Sequence, residues 1–241
     1  VEEWNFDPAH DHGLPIGQQL RSVRRESGLL GKIGQAAWAG WVSLHLRALE
    51  RIRVVGREHL PATPPFVIVA NHGSHIDALV LASLLPRRVR PCTYPIAAGD
   101  TFFESPVRAA ISANLLNALP VWRHGGGRHG IDALRDRLLG QPCGLILFPE
   151  GTRSRSGAMS PFKPGVGMLV AGRPVPVVPI HLSGTHAAWP PRAKLPRFGR
   201  TITAAVGPPL WFEEVSDDRE GWAAVAAAAE AAVRELGACA G

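Results

Sequence analysis

Short unbroken apolar runs alternate with segments of helical period along most of this chain. Phe66-Val-Ile-Val-Ala70 follows Pro64-Pro65, and Cys143-Gly-Leu-Ile-Leu-Phe148 ends at Pro149. Both have the length and content of buried strands. Val89–Ala97, Val121-Trp122, Val175–Leu182 and Ile202–Val206 are further expected strands. Between them, Ala78–Leu85 reads as a helix that stops before Pro86, and Gly130–Leu139 as another. Ser105–Leu119 has Pro106 in its first turn and Val107, Ile111, Leu115 and Ala118 on one face. A last helix opens at Asp217 and Asp218, where the helix dipole favours carboxylates. It carries the stripe Trp222, Val225, Ala229, Val233 and Leu236 and is expected to end at Gly237. Strands alternating with helices, and strands apolar along their whole length, predict an α/β fold whose sheet is covered on both faces.

The first 28 residues are polar, with a short basic helix expected near Gln18–Ser27. A longer helix follows over Leu29–Glu50. Lys32 and Arg47 bracket 14 uncharged residues that include Gly34, Gln35, Gly40, Ser43 and His45. A spanning helix needs about 20 predominantly apolar residues, so this one is too short and too mixed. Leu30, Ile33, Ala37, Trp41, Leu44 and Leu49 recur near helical spacing, with Trp38 beside them and arginines on both flanks. Such a stripe either packs on the domain's own core or lies in a membrane interface.

The 241 residues carry a formal charge of +6, nearly all of the basic side chains being arginine. That excess favours anionic partners. A single tyrosine and the lack of an aromatic-basic RNA-binding run weigh against nucleic acid. A 46% hydrophobic content excludes disorder. The three cysteines share no ligand or framework spacing, so neither a disulfide scaffold nor a zinc site is expected.

Two polar clusters follow predicted strands, where sites in α/β folds lie. Asn71-His72-Gly-Ser-His75-Ile-Asp77 offers an imidazole and, five residues on, a carboxylate. If Asp77 accepts from one ring nitrogen, the other becomes a base for an attacking hydroxyl, worth about 10²–10⁴ in rate. Five residues do not share a helix face, so the chain must turn at Gly73 for the pair to meet. The same residues also read as a capping box, Ser74-x-x-Asp77, with Asp77 merely holding a helix N-terminus. The second cluster is Phe148-Pro-Glu150-Gly151-Thr152-Arg153-Ser-Arg155, with Phe162-Lys163-Pro-Gly165 beyond it. Glycine permits close backbone approach, and an arginine fork suits phosphate. The plain alternative is a polar turn with solvated arginines.

Other patterns lead nowhere. Gly125–Gly130 fits GxGxxG but follows Arg123-His124 rather than a long apolar strand. His124-Gly-Gly-Gly127 has the form of an esterase oxyanion loop, but GxSxG is absent, as are HExxH and a Walker A loop.

Taken in order, the clusters resemble the blocks of the 1-acylglycerol-3-phosphate acyltransferase family of glycerolipid acyltransferases. Asn71, His72 and Asp77 match its N-H-x-x-x-x-D block. Phe148–Ser154 match F-P-E-G-T-R-S, Phe162–Gly165 match F-K-x-G, and Val178-Pro179-Ile180 match a V-P-hydrophobic strand. The block ending in an arginine would be Val121-Trp122-Arg123, where Trp122 replaces the family's usual acidic residue. The resemblance covers roughly residues 55–210. It implies a mixed, largely parallel sheet covered by helices, with residues 1–50 as an N-terminal helical extension and 51–241 as the acyltransferase domain. It implies that His72 and Asp77 are catalytic, and that no covalent acyl-enzyme forms. Arg123, Glu150, Gly151, Thr152, Arg153 and Lys163 would bind the acceptor. The implied partners are acyl-CoA or acyl carrier protein, a lysophospholipid acceptor and an anionic membrane surface, with no cofactor and no metal. The acyl chain would run past Phe102, Phe103 and the Val107 stripe, unless that stripe faces lipid. The implied place is peripheral, on the cytoplasmic side of the cell membrane. Trp122 keeps a different acceptor alcohol open, and a membrane-binding module without turnover is the alternative of another class.

Overall fold

The structure, a computed structural model, describes residues 13–25, 29–122 and 127–239. Its strands are β1 (Arg51–Val55), β2 (Phe66–Ala70), β3 (Thr93–Ala98), β4 (Leu119–Val121), β5 (Gly144–Leu147), β6 (Val177–Ser183) and β7 (Thr201–Val206). The helices are α1 (Ile16–Gln19), α2 (Leu29–Leu49), α3 (Asp77–Leu84), α4 (Gly99–Phe102), α5 (Pro106–Asn114), α6 (Gly127–Gly140), α7 (Gly165–Val170), α8 (Thr185–Ala188) and α9 (Arg219–Cys239). One seven-stranded sheet runs β1-β7-β6-β2-β5-β3-β4, parallel at every pairing except β6–β7.

The central strand β2 is buried along its whole length because both faces of the sheet are covered. Its pleat divides it. Val67 and Val69 join Leu145 and Val177 in a core with residues of α6, α7 and α9. Phe66, Ile68 and Ala70 join Ile146, Val178 and Ile202 in a second core under α3. A third cluster sets Phe103 against Ala109, Ala113 and Ala118. Two buried arginines fasten the N-terminal lead to the domain. Arg25 donates to the carbonyls of Ala113 and Ala118, and Arg137 to those of Val23 and Arg25 while lying over the Tyr94 ring.

Several sequence expectations shift for identifiable reasons. Of the basic helix expected near 18–27, residues 26–27 lie outside the described residues; α1 ends at Gln19, and the chain turns over Ser22–Arg25, where the Val23 and Arg25 carbonyls accept from Arg137. The start of the Val89–Ala97 strand is a 3₁₀ turn around Pro91, which has no N–H for a ladder. The helix expected to reach Leu119 ends at Asn114. Asn117 then turns the chain at φ 52° into β4. Gly237 does not stop the last helix, which runs on to Cys239. The glycine is there because a Cβ would meet the His181 ring at 2.8 Å. Strand β1 was not expected. Its arginines hid an inward pair, Ile52 and Val54, at the sheet edge.

Gly167 carries α7 against α9. A Cβ there would lie 2.4 Å from the Trp222 backbone. Gly167→Ala must therefore push the helices apart and is expected to cost about 1–3 kcal/mol. Urea unfolding reads this directly, and an unchanged midpoint would contradict the packing.

Candidate active site

The loops that follow β2 and β5, adjacent parallel strands, meet at the strands' C-terminal ends. Asn71 pins the first loop to β6. Its Nδ2 donates to the Leu182 carbonyl at 2.9 Å, and its Oδ1 accepts from the Leu182 N–H at 2.7 Å. The chain then turns at Gly73 and enters α3 at Asp77, which is fully buried. Asp77 Oδ2 lies 2.8 Å from His72 Nδ1 and also accepts from the backbone N–H groups of Gly73 (2.8 Å) and Ser74 (2.7 Å). The two sequence readings are thus realised by one oxygen: it holds the turn and it pairs with the histidine. The other half of the capping box is not made. The Ser74 hydroxyl donates to the Trp189 carbonyl instead, and Ile76 occupies the cap position.

The His72 ring stacks on Phe148, centroids 4.0 Å apart, so the second loop supports the face of the imidazole. Glu150 joins the loops from below. Its Oε1 accepts from the His72 N–H at 2.7 Å and its Oε2 from the Ser160 N–H at 2.9 Å. At 3% exposure with both oxygens occupied, Glu150 faces the protein interior. The sequence expectation set Glu150 against the acceptor; in the structure its carboxylate is bonded to these two backbone groups. Ser154 N–H adds a bond to the His72 carbonyl at 2.7 Å.

The remaining residues of the second cluster face outward. Gly151 has φ +74°, and a Cβ there would lie 2.7 Å from Lys163 Nζ, so this glycine makes room for the lysine amine. Arg153 directs Nη1 onto the His75 ring, whose Nε2 lies 3.1 Å from the Pro191 carbonyl. With Nε2–H donating to Pro191, Nδ1 is the acceptor for Arg153. Burial and the Arg153 charge hold the His75 pKa below its ordinary value. No spacing rule pointed to His75 as Arg153's partner, or to Ser160 as Glu150's. Arg123 lies outside the described residues. The Trp122 ring lies over Gly99.

His72, Gly151, Thr152 and Arg153 line one cavity of about 340 Å³, whose other wall is apolar: Ile96, Ala97, Phe102, Leu116 and Leu147. A second cavity of about 510 Å³ shares Ala78, Pro95 and Leu116 with it and continues beneath α2, past Trp38, Val42 and Leu79. Of the residues expected to form an acyl path, Phe102 lines the first cavity. Phe103 is instead sealed in the third core, and Val107 is 70% exposed. No group of metal-ligating side chains occurs among the described residues.

The α/β sheet thus carries a histidine–carboxylate pair at the C-terminal ends of adjacent parallel strands. The family follows from comparison. A family model described as Acyltransferase matches residues 51–183, more than half of the chain, and the chain belongs to that family. It is 34% identical over 142 residues to the 1-acyl-sn-glycerol-3-phosphate acyltransferase alpha of Mus musculus, covering 58% of this chain and 48% of that protein. It is 32% identical over 153 residues to the chloroplastic 1-acyl-sn-glycerol-3-phosphate acyltransferase BAT2 of Brassica napus, covering 62% of this chain and 42% of that one. The chain therefore spans about half the length of the curated relatives it matches. Its fold resembles the crystal structure of the 1-acyl-sn-glycerophosphate (LPA) acyltransferase PlsC from Thermotoga maritima. The TM-score is 0.62 at 20% identity, over 86% of this chain and 79% of that one. Among the described residues, no helix is long and apolar enough to cross a membrane.

Glu150→Gln replaces one accepting oxygen with an amide donor facing a backbone N–H. It is expected to destabilise the fold by about 1–3 kcal/mol in denaturant unfolding. Wild-type stability would mean that the two bonds do not hold the loops. A histidine NMR titration should place His75 below the ordinary value of 6.5, and Arg153→Ala should move its midpoint back upward. The sign follows from linkage. Neutral His75 is favoured by folding, so its contribution is complete above 6.5 and drains away as pH falls. A midpoint indifferent to Arg153→Ala would break the pairing.

Proposed function

We propose that this chain transfers an acyl group from a thioester, acyl-CoA or acyl carrier protein, to the free hydroxyl of a lysophospholipid. The leading acceptor is 1-acylglycerol-3-phosphate, giving phosphatidic acid. The observation that carries the reading is the His72–Asp77 pair facing a cavity that is polar at one end and apolar along its wall. Asp77 engages Nδ1, which leaves Nε2 to take the proton of the acceptor hydroxyl. The acceptor oxygen then attacks the thioester carbonyl carbon. The tetrahedral adduct collapses with cleavage of the C–S bond, and the imidazolium returns its proton to the departing thiolate. Asp77 stabilises the imidazolium between these steps. No side-chain nucleophile is required, in keeping with the missing GxSxG.

Arg153 lines the cavity and Lys163 stands beside Gly151; the two would hold the acceptor phosphate, with Gly151 and Thr152 lining its approach. Glu150 acts on the reaction only through the His72 loop. The acyl chain would enter along Ile96, Phe102 and Leu147 and pass Pro95 and Leu116 into the larger cavity under α2. The outer faces of the helices around that cavity are apolar: Ile33, Trp41 and Leu44 on α2, Val107 and Ile111 on α5. Trp38 and Trp41 stack at 5.0 Å on α2. We read this as the side that rests on an anionic membrane surface. A second reading keeps the chemistry and changes the alcohol. It draws on Trp122, which stands where the family usually has an acid.

His72→Ala is expected to abolish product formation, followed by mass spectrometry with palmitoyl-CoA and a panel of lysophospholipids and neutral alcohols. Product from the variant at the wild-type rate would remove the base assignment. No wild-type product with any phosphorylated acceptor, but turnover of a neutral one, would favour the second reading. Arg153→Ala should raise the KM for a phosphorylated acceptor about tenfold or more while leaving a neutral acceptor's KM nearly unchanged. Equal changes would exclude a phosphate contact.

A further inference from the structure

The segment from Trp189 to Arg200 borders the site, yet the acyl-transfer steps give it no task. It is a closed loop. Arg197 N–H donates to the Ala188 carbonyl at 2.7 Å across its neck, and the Trp189 indole N–H donates to the Ala193 carbonyl at 2.9 Å inside it. Its root forms part of the site wall: the Trp189 carbonyl accepts from Ser74, and Pro191 meets His75. Its outer part does the opposite of what a water-facing loop does. Leu195 is 77% exposed and Phe198 60%. Arg192, Lys194, Arg197 and Arg200 stand exposed around them, and no Asp or Glu occurs from residue 151 to residue 212.

We propose that residues 189–200 are a membrane-contact loop, with Leu195 and Phe198 inserted among the headgroups of an anionic lipid surface and the four cations seated on its phosphates. Apolar anchors in a cationic collar are the chemistry of interfacial insertion. A lipid surface is favoured over an acidic protein by continuity with α2. The loop's last residue is bound to the residues that follow that helix, Arg200 N–H to Glu50 Oε2 at 2.8 Å and Arg51 N–H to the Arg200 carbonyl at 3.0 Å. Helix α2 itself exposes Ile33, Trp41 and Leu44. The loop root touches both His75 and Ser74, so a lipid entering along the loop arrives beside His72. Only this last step rests on the acyl-transfer reading; binding to vesicles does not.

The test is flotation of the full chain with vesicles of phosphatidylglycerol and phosphatidylcholine in equal parts. It is paired with acyl transfer to vesicle-embedded and to short-chain, monomeric acceptors. Leu195→Ser with Phe198→Ser should weaken vesicle partition about tenfold or more. The thermal midpoint and turnover of the monomeric acceptor should be retained. Arg192→Gln with Lys194→Gln and Arg197→Gln should flatten the salt dependence of partition. Unchanged partition in both variants overturns the proposal. So does a loss confined to reactions with acyl carrier protein as donor, which would make the loop a protein-docking surface. Absence of wild-type turnover on every acceptor counts against the acyl-transfer reading alone, because the partition experiment still decides the loop's role.

Discussion

One oxygen of Asp77 accepts from three groups: the His72 ring and the backbone N–H groups of Gly73 and Ser74. Everything at the site depends on that convergence. The two backbone bonds bend the chain so that α3 begins where its first carboxylate can reach back five residues. The third bond sets the imidazole. A buried carboxylate needs such partners, since burial without them is costly. The donors that satisfy its Oδ2 therefore include the ring nitrogen that sets His72. The turn and the setting of the imidazole thus share one oxygen.

A similar economy joins the two loops. Asn71 uses both ends of its amide to clamp the end of β2 to β6, and Glu150 uses both oxygens to tie His72 to Ser160. Phe148 then supports the imidazole face. The histidine is held by its backbone, one ring nitrogen and one ring face, which is the preorganisation that the proposed proton transfer calls for. The outward residues Gly151, Thr152, Arg153 and Lys163 lie on the other side of the same turn.

Much of this was legible in the chain. The runs at 66–70 and 143–148 located the two central strands because β2 and β5 are covered on both faces and apolar throughout. The polar clusters after them are the two loops that the fold brings together. Edge strand β1 was missed because three of its five positions face outward and two of those carry arginine. The inward turn of Glu150 was illegible because its partners are backbone groups, which leave no trace in residue type. Helical periodicity marked apolar stripes on α2 and α5 without saying what covers them. In the folded chain Ile33, Trp41, Leu44, Val107 and Ile111 remain outside, while smaller residues such as Ala109 and Ala113 fill the interior. Spacing reports that a face is apolar; only packing decides which side is in.

The central claim is that Asp77 fixes the tautomer of His72, and the nitrogen spectrum of that ring tests it most directly. In the wild-type chain at neutral pH, long-range proton–nitrogen correlations should show the proton of His72 on Nδ1 and an unprotonated Nε2. In Asp77→Asn that preference should be lost. Finding the proton on Nε2 in the wild type would contradict the account, because the nitrogen facing the cavity could then accept nothing from a substrate hydroxyl.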